Sequence, residues 1–200
     1  LYLDKENVLW IGTSGGGFCF YNRDNQTFTA FQHDPKRPKE TPSDDRTLSI
    51  FDDTAGNLWI GTSNGGLNKF DKITKEFTQF KSFVNKPGTI SSNRIYSIFQ
   101  DSRKRLWIAT TGGLNLFNYQ NNTFRAFRKS NGLPNEVVYG INEDSQGFLW
   151  FSTNSGICKF NPNNLENPVV AVYHKTDGLQ SNEFNEGAYL KLKSGQMVFG

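Results

Sequence analysis

The chain of 200 residues is poor in cysteine, histidine and methionine, and it has no long hydrophobic run. Two cysteines are too few for a disulfide framework, and their spacing fits no metal motif. No stretch approaches the roughly 18 apolar residues of a membrane span, and no signal peptide is visible. The net charge is only +3 and basic residues do not cluster, so we expect no nucleic-acid partner. We also expect no metal and no cofactor.

Aromatic residues are abundant, although hydrophobic residues as a whole are not. They make up 14% of the chain and include 18 Phe, whereas the hydrophobic fraction is a modest 36%. Apolar residues spread thinly through polar sequence favour short alternating strands over long buried helices. The composition therefore predicts an all-β protein.

One string recurs along the chain. "LWIGTSGGGF" at Leu9–Phe18 returns in altered form as "LWIGTSNGGL", "LWIATTGGL" and "LWFSTNSGI". A tryptophan marks each copy: Trp10, Trp59, Trp107 and Trp150. An aspartate stands six residues before each tryptophan: Asp4, Asp53, Asp101 and Asp144. A period of roughly 40 to 50 residues with one Trp and several Gly per unit is typical of propeller blades.

Each unit divides into four short strands with Gly-rich or polar turns between them. We expect the tryptophans to fill the core between blades and the aspartates to end the first strand by accepting hydrogen bonds from the turn that follows. Cys19 and Cys158 occupy one repeat position three blades apart, so we expect two buried free thiols. The predicted blades are residues 1–31, 47–80, 94–127 and 137–174, with a partial terminal unit at 184–200.

Four blades and a hairpin do not make a closed ring. The hairpin has no place in a closed four-bladed ring because the first blade already has its own inner strands. The sequence therefore predicts a single propeller fragment over 1–200, an arc of a larger ring of the seven-bladed type. Such an arc exposes two aromatic-rich blade faces, so we expect the isolated chain to self-associate.

The repeat "DxxGxLWIGTxxGGL", followed by an "FxxF" strand and "GxISSNxIYSIxxD", resembles the two-component regulator propeller repeat. The resemblance implies the periplasmic sensor region of a hybrid two-component system, of the kind found in Bacteroidetes that sense polysaccharide fragments. It also implies further blades and a downstream β-sandwich domain as partners. A membrane helix and a histidine kinase would follow, but none of those is in this chain. The segment Asp177–Gly200, with Val198 in place of the tryptophan, resembles the last repeat of such an array.

Enzyme chemistry has little support in the residues. The two histidines, His33 and His174, belong to no recognisable triad or metal motif. The Gly-rich turns lack the helix and lysine of a phosphate-binding loop. We therefore expect no catalytic residue in this segment.

Specificity in a repeat scaffold is expected in the parts that do not repeat. The loops that join one blade to the next vary most, and they share one rim with the turn between the second and third strands. Two arginines begin the first strand of adjacent blades, and they could bind a carboxylate or sulfate of an acidic sugar. The candidate ligand-binding residues at this rim are Arg46, Arg94, Asn93, Asn135, Glu136, Asn182 and Glu183. The alternative interpretation is that these polar groups only cap and solvate strand ends.

Three functions remain open at this point. The first is a non-catalytic extracytoplasmic module that senses a ligand, with oligosaccharide the implied class. The second is a general propeller scaffold for protein–protein interaction, and the third is a propeller lyase or hydrolase. The resemblance favours the first.

Overall fold

The computed structural model describes residues 1–200 and consists of strands and turns with two short 3₁₀ segments. The strands form four four-stranded antiparallel sheets and one hairpin, which confirms the predicted propeller-blade architecture. Blade one comprises β1 (Tyr2–Leu3), β2 (Leu9–Gly12), β3 (Phe18–Asn22) and β4 (Thr27–Phe31). Blade two comprises β5 (Thr47–Asp52), β6 (Leu58–Thr62), β7 (Leu67–Phe70) and β8 (Phe77–Phe80).

The later part of the chain repeats this order. Blade three comprises β9 (Ile95–Gln100), β10 (Leu106–Thr110), β11 (Gly113–Asn118) and β12 (Thr123–Phe127). Blade four comprises β13 (Val138–Glu143), β14 (Leu149–Thr153), β15 (Gly156–Phe160) and β16 (Val169–Tyr173). The terminal hairpin comprises β17 (Tyr189–Lys191) and β18 (Met197–Phe199). None of the helical segments is long and apolar enough to cross a membrane.

Aromatic side chains fill the space between successive blades. In the first three blades, the tryptophan on the second strand meets a phenylalanine at the end of the third strand of the next blade. The ring centroids are 5.8 Å apart for Trp10 and Phe70 and 5.0 Å apart for Trp59 and Phe117. The corresponding distance between blades three and four is 5.6 Å. Three core clusters result, one for each boundary between blades, and each depends on both neighbours.

Glycine permits the closest approach of the blades. A Cβ atom added to Gly61 on β6 would lie 2.3 Å from the Ser49 hydroxyl and 2.6 Å from Ile95 of blade three. The turn after β6 needs glycine for another reason, because Gly66 adopts a φ of +89°, which side chains disfavour. Both glycines of the repeated string thus build the blade.

The two ends of the arc are less well covered than its middle. Trp150 is half-buried and stacks on Tyr173, whereas the other three tryptophans are at most 2% exposed. On the outer face of blade one, Phe28 is 61% exposed and Leu3 is 53% exposed. Cys158 is buried as expected, but Cys19 is only half-buried because its side chain lies on this uncovered face.

Candidate functional site

The first strands of the blades, which are β1, β5, β9 and β13, and the hairpin strand β17 surround the axis of the arc. The loop rim is the edge where the loops between blades meet the turns after the second strands. Three backbone bonds hold this rim, from Gly17 to Asp45, from Gly66 to Asn93 and from Gly156 to Asn182. The channel mouth, where this rim meets the axis, is therefore built on rigid backbone.

Asn93 and Asn182 have the same role in different blades: each side chain accepts a hydrogen bond from a backbone amide of its own loop. The Asn93 side chain accepts a hydrogen bond from the Ser82 amide at 2.7 Å, and that of Asn182 accepts one from Lys175 at 2.7 Å. Asn135 accepts a hydrogen bond from the Val137 amide at 2.9 Å. These three asparagines fix loop geometry, so their side-chain oxygens are already occupied. Sequence reasoning had left this capping role open.

Arg46 and Arg94 have different surroundings. Arg46 is exposed, and its carbonyl oxygen accepts a hydrogen bond from the Ser63 amide at 2.9 Å. The Arg94 guanidinium lies 5.4 Å from the centre of the Tyr96 ring and 3.6 Å from the Glu186 carboxylate. Its Nε atom is buried without a hydrogen-bond partner. Arg94 is thus held beside Tyr96 and Glu186, with one buried donor that has no partner within the chain.

A pair of tyrosines completes the mouth beside Arg94. The rings of Tyr96 and Tyr139 are 4.9 Å apart, and the Tyr139 hydroxyl donates to Asn154 at 2.7 Å. Burial raises the pKa of Tyr96, so its hydroxyl stays protonated at neutral pH. Sequence reasoning missed this pair, although both tyrosines stand five residues before a repeated aspartate.

The two candidate glutamates, Glu136 and Glu183, do not form the ion pair with Arg94. Glu136 is half-buried and Glu183 is exposed, and the ion pair at the mouth is made by Glu186 instead. No three His, Cys, Asp or Glu side chains come together in a way that could hold a metal ion. The mouth therefore offers an arginine with free donors, aromatic faces and one carboxylate.

The repeated aspartates form a second polar layer at the opposite rim. In every blade the aspartate accepts a hydrogen bond from the tryptophan indole N–H, at 2.8 to 2.9 Å, and from the backbone of the following turn. The next blade adds a further donor in two cases, which are Lys72 to Asp4 and Tyr119 to Asp53, both at 3.0 Å. These carboxylates join strand, turn and neighbouring blade.

The loops between blades do not all lie at the channel mouth. The loop after blade one pairs with the outer strand of blade two, where the Phe77 amide donates to the Lys39 carbonyl at 2.7 Å. The Phe124 amide likewise donates to Gly88 at 2.9 Å. Much of the longest loops therefore covers exposed strand edges, a common protection of sheet edges.

One protein family matches the chain in three separate segments. The two-component regulator propeller family matches residues 41–64, 89–112 and 132–155. Each matched segment runs from the loop before a blade through its first two strands. The chain carries two-component regulator propeller repeats. They lie in blades two, three and four. No curated protein matches the chain in sequence.

Solved structures show the same fold. The extracellular domain of a putative hybrid two-component system from B. thetaiotaomicron has a TM-score of 0.71 at 24% identity and covers 100% of this chain. A second such domain from that organism has a TM-score of 0.65 at 22% identity and covers 99%. The chain spans 32% and 34% of these two solved chains.

An enzyme shares the fold as well. A gluconolactonase from Xanthomonas campestris has a TM-score of 0.64 at 11% identity over 99% of this chain and 67% of its own. At such identities the likeness concerns the fold alone, since one fold hosts many functions.

Proposed function

We propose that this chain is part of the extracytoplasmic sensor region of a hybrid two-component system and binds an oligosaccharide without catalysing a reaction. The observation that carries the proposal is the family repeat, matched in three consecutive blades. The similar solved domains are described as extracellular parts of two-component systems, which supports the same location for this chain.

The channel mouth is the part of the chain best suited to bind the ligand. Arg94 keeps a buried Nε without a partner, and its guanidinium lies beside the face of Tyr96. A planar guanidinium binds a carboxylate or sulfate through two parallel hydrogen bonds, and aromatic rings offer faces for sugar rings. The arrangement thus suits an acidic sugar, with exposed Arg46 as a second cation at the same rim.

Signalling requires that the ligand favour one arrangement of the sensor over another. The ion pair between Arg94 and Glu186 joins the start of blade three to the segment before the terminal hairpin. A sugar acid bound to Arg94 would compete with Glu186 for the guanidinium. The contact between blade three and the terminal segment would then depend on the ligand.

The test is a thermal-shift screen of the purified chain against neutral, uronic-acid-containing and sulfated oligosaccharides. A ligand at 100 times its Kd stabilises the folded state by about 2.7 kcal/mol, which corresponds to a Tm increase of about 5 to 10 °C for a domain of this size. We expect that increase with acidic oligosaccharides and its loss in the double variant Arg46→Ala, Arg94→Ala.

Arg23→Ala is the matched control, because Arg23 is an exposed arginine in the turn between β3 and β4, away from the loop rim. It should leave the ligand-induced shift unchanged. An equal shift in the double variant and the native chain would refute the proposed site. The absence of a shift with every oligosaccharide would refute the proposed ligand class.

A further inference from the structure

One position on the first strand of each blade is aromatic in blades one to three but not in blade four. The residue paired with the tryptophan on the first strand is Tyr2 in blade one, Phe51 in blade two and Phe99 in blade three. In blade four the same position is Asn142, paired with Trp150. Three aromatic side chains and one amide therefore stand at the same level of the innermost strands, on the same sheet face as the tryptophans.

These residues line a groove of about 580 Å³, which is within the range of small-molecule sites. Its remaining walls are mostly aliphatic and aromatic side chains of β5, β9, β13 and β17. No side chain that lines the groove carries a charge. Tyr96 lines both the groove and the mouth, but only the mouth has charged side chains, which are Arg94 and Glu186.

Asn142 lines the groove and is only 5% exposed, and its side-chain nitrogen has no hydrogen-bond partner. A buried amide donor without an acceptor is rare in folded proteins because it has lost its water without compensation. Ser49 also lines the groove, but its buried, unpartnered hydroxyl lies against Gly61. Asn142 is therefore a lining residue whose amide donor has no acceptor within the chain.

We propose that this groove binds an uncharged, planar aromatic molecule that carries a carbonyl or a similar acceptor. Tyr2, Phe51 and Phe99 supply the apolar ring contacts, and the Asn142 amide donates to the acceptor. The lining side chains carry no charge, so an acidic sugar would find no side-chain counter-ion here. The site goes beyond the oligosaccharide proposed for the mouth.

The probe is a neutral naphthyl ketone dye, 6-propionyl-2-(dimethylamino)naphthalene, whose emission shifts to the blue in apolar surroundings. We expect saturable binding to the purified native chain with one dye per chain. Asn142→Leu keeps the side-chain volume and removes the donor, so we expect the Kd to rise about three- to tenfold. The Tm should not fall, because the lost donor has no partner in the free chain.

Leu190→Glu gives a second test that does not disturb the core, because Leu190 lines the groove and is 57% exposed. A charge there should abolish dye binding. Phe28→Ser on the outer face of blade one is the control, and it should leave the Kd unchanged. Dye binding that does not saturate, that persists in Leu190→Glu, that is unaffected by Asn142→Leu or that is lost in Phe28→Ser would overturn the proposal. Oligosaccharide binding at the mouth would be unaffected by any of these results.

Discussion

At the scale of single residues, the repeated aspartate accepts at least three hydrogen bonds in every blade. Asp53 accepts hydrogen bonds from the Ala55 and Asn57 amides, the Trp59 indole and the Tyr119 hydroxyl of the next blade. It is fully buried, so its loss would leave several donors without partners.

Asp53→Ala should therefore reduce the free energy of unfolding by about 3 to 5 kcal/mol, as expected when a buried hydrogen-bond network loses its centre. Urea unfolding followed by tryptophan fluorescence measures this change. Asp24→Ala, at an exposed aspartate in a turn of blade one, should change the stability by less than about 0.5 kcal/mol. Equal effects of the two substitutions would contradict the role assigned to Asp53.

The same carboxylates predict sensitivity to acid. Burial alone would raise the pKa of Asp53, but hydrogen bonds from Trp59, Asn57 and Tyr119 outweigh burial and hold the pKa below its ordinary 3.8. The pKa values of Asp4 and Asp144 are lowered in the same way, against burial, by bonds that include the indole N–H. The unfolded chain thus binds more protons than the folded one at low pH.

This contribution to stability is complete above the unfolded pKa and is lost as the pH falls through the lowered folded values. Urea midpoints should change little from pH 7 to pH 5 and fall steeply below about pH 4. Asp53→Asn should flatten the fall, because one titrating group is removed. A native chain whose urea midpoint is the same at pH 3 and pH 7 would show that these bonds do not contribute in this way.

At the scale of elements, blade spacing depends on a small residue in the second strand. Gly61→Ala should lower the free energy of unfolding by about 1 to 3 kcal/mol, because the added Cβ would meet Ser49 and Ile95 of the adjoining strands. Thermal denaturation measures the change. Ala109, at the equivalent position of blade three, gives the control: Ala109→Gly should cost no more than about 1 kcal/mol. A Gly61→Ala chain as stable as the native one would contradict the close approach.

The strands, their order within a blade and the turns between them could be predicted because each repeats. In every copy, a hydrophobic segment followed by a Gly-rich turn predicts the same strand and the same hairpin. Contacts between blades could be predicted less well. Lys72 and Tyr119 occupy one repeat position, yet one donates an ammonium and the other a hydroxyl to the aspartate of the preceding blade. The sequence predicted Arg94 at this rim, whereas its ion-pair partner Glu186 comes from a loop that the repeat does not align.

At the scale of the whole molecule, each end of the arc exposes an apolar blade face of the kind that is buried between internal blades. Trp150 lacks the third-strand phenylalanine that covers the other tryptophans, and the outer face of blade one exposes Phe28. No core cluster joins blade one to the terminal hairpin. Apolar faces of this kind associate in water.

The isolated chain should consequently self-associate, with a sedimentation coefficient that rises with concentration. Phe28→Glu should weaken the association by placing a charge on the outer face of blade one. Ile73→Glu is the control, because Ile73 is 92% exposed but lies in the turn between β7 and β8, away from the two end faces. A monodisperse monomer at all concentrations would argue against an open arc with free end faces.

The central claim is that the channel mouth binds the ligand. Hydrogen–deuterium exchange of the purified chain, with and without the oligosaccharide that gives the largest thermal shift, tests it most directly. We predict slower exchange in the segments that contain Arg94, Tyr96, Tyr139 and Glu186, with little change in the outer strands of the blades. Protection confined to the outer strands, or equal exchange with and without ligand, would contradict the claim.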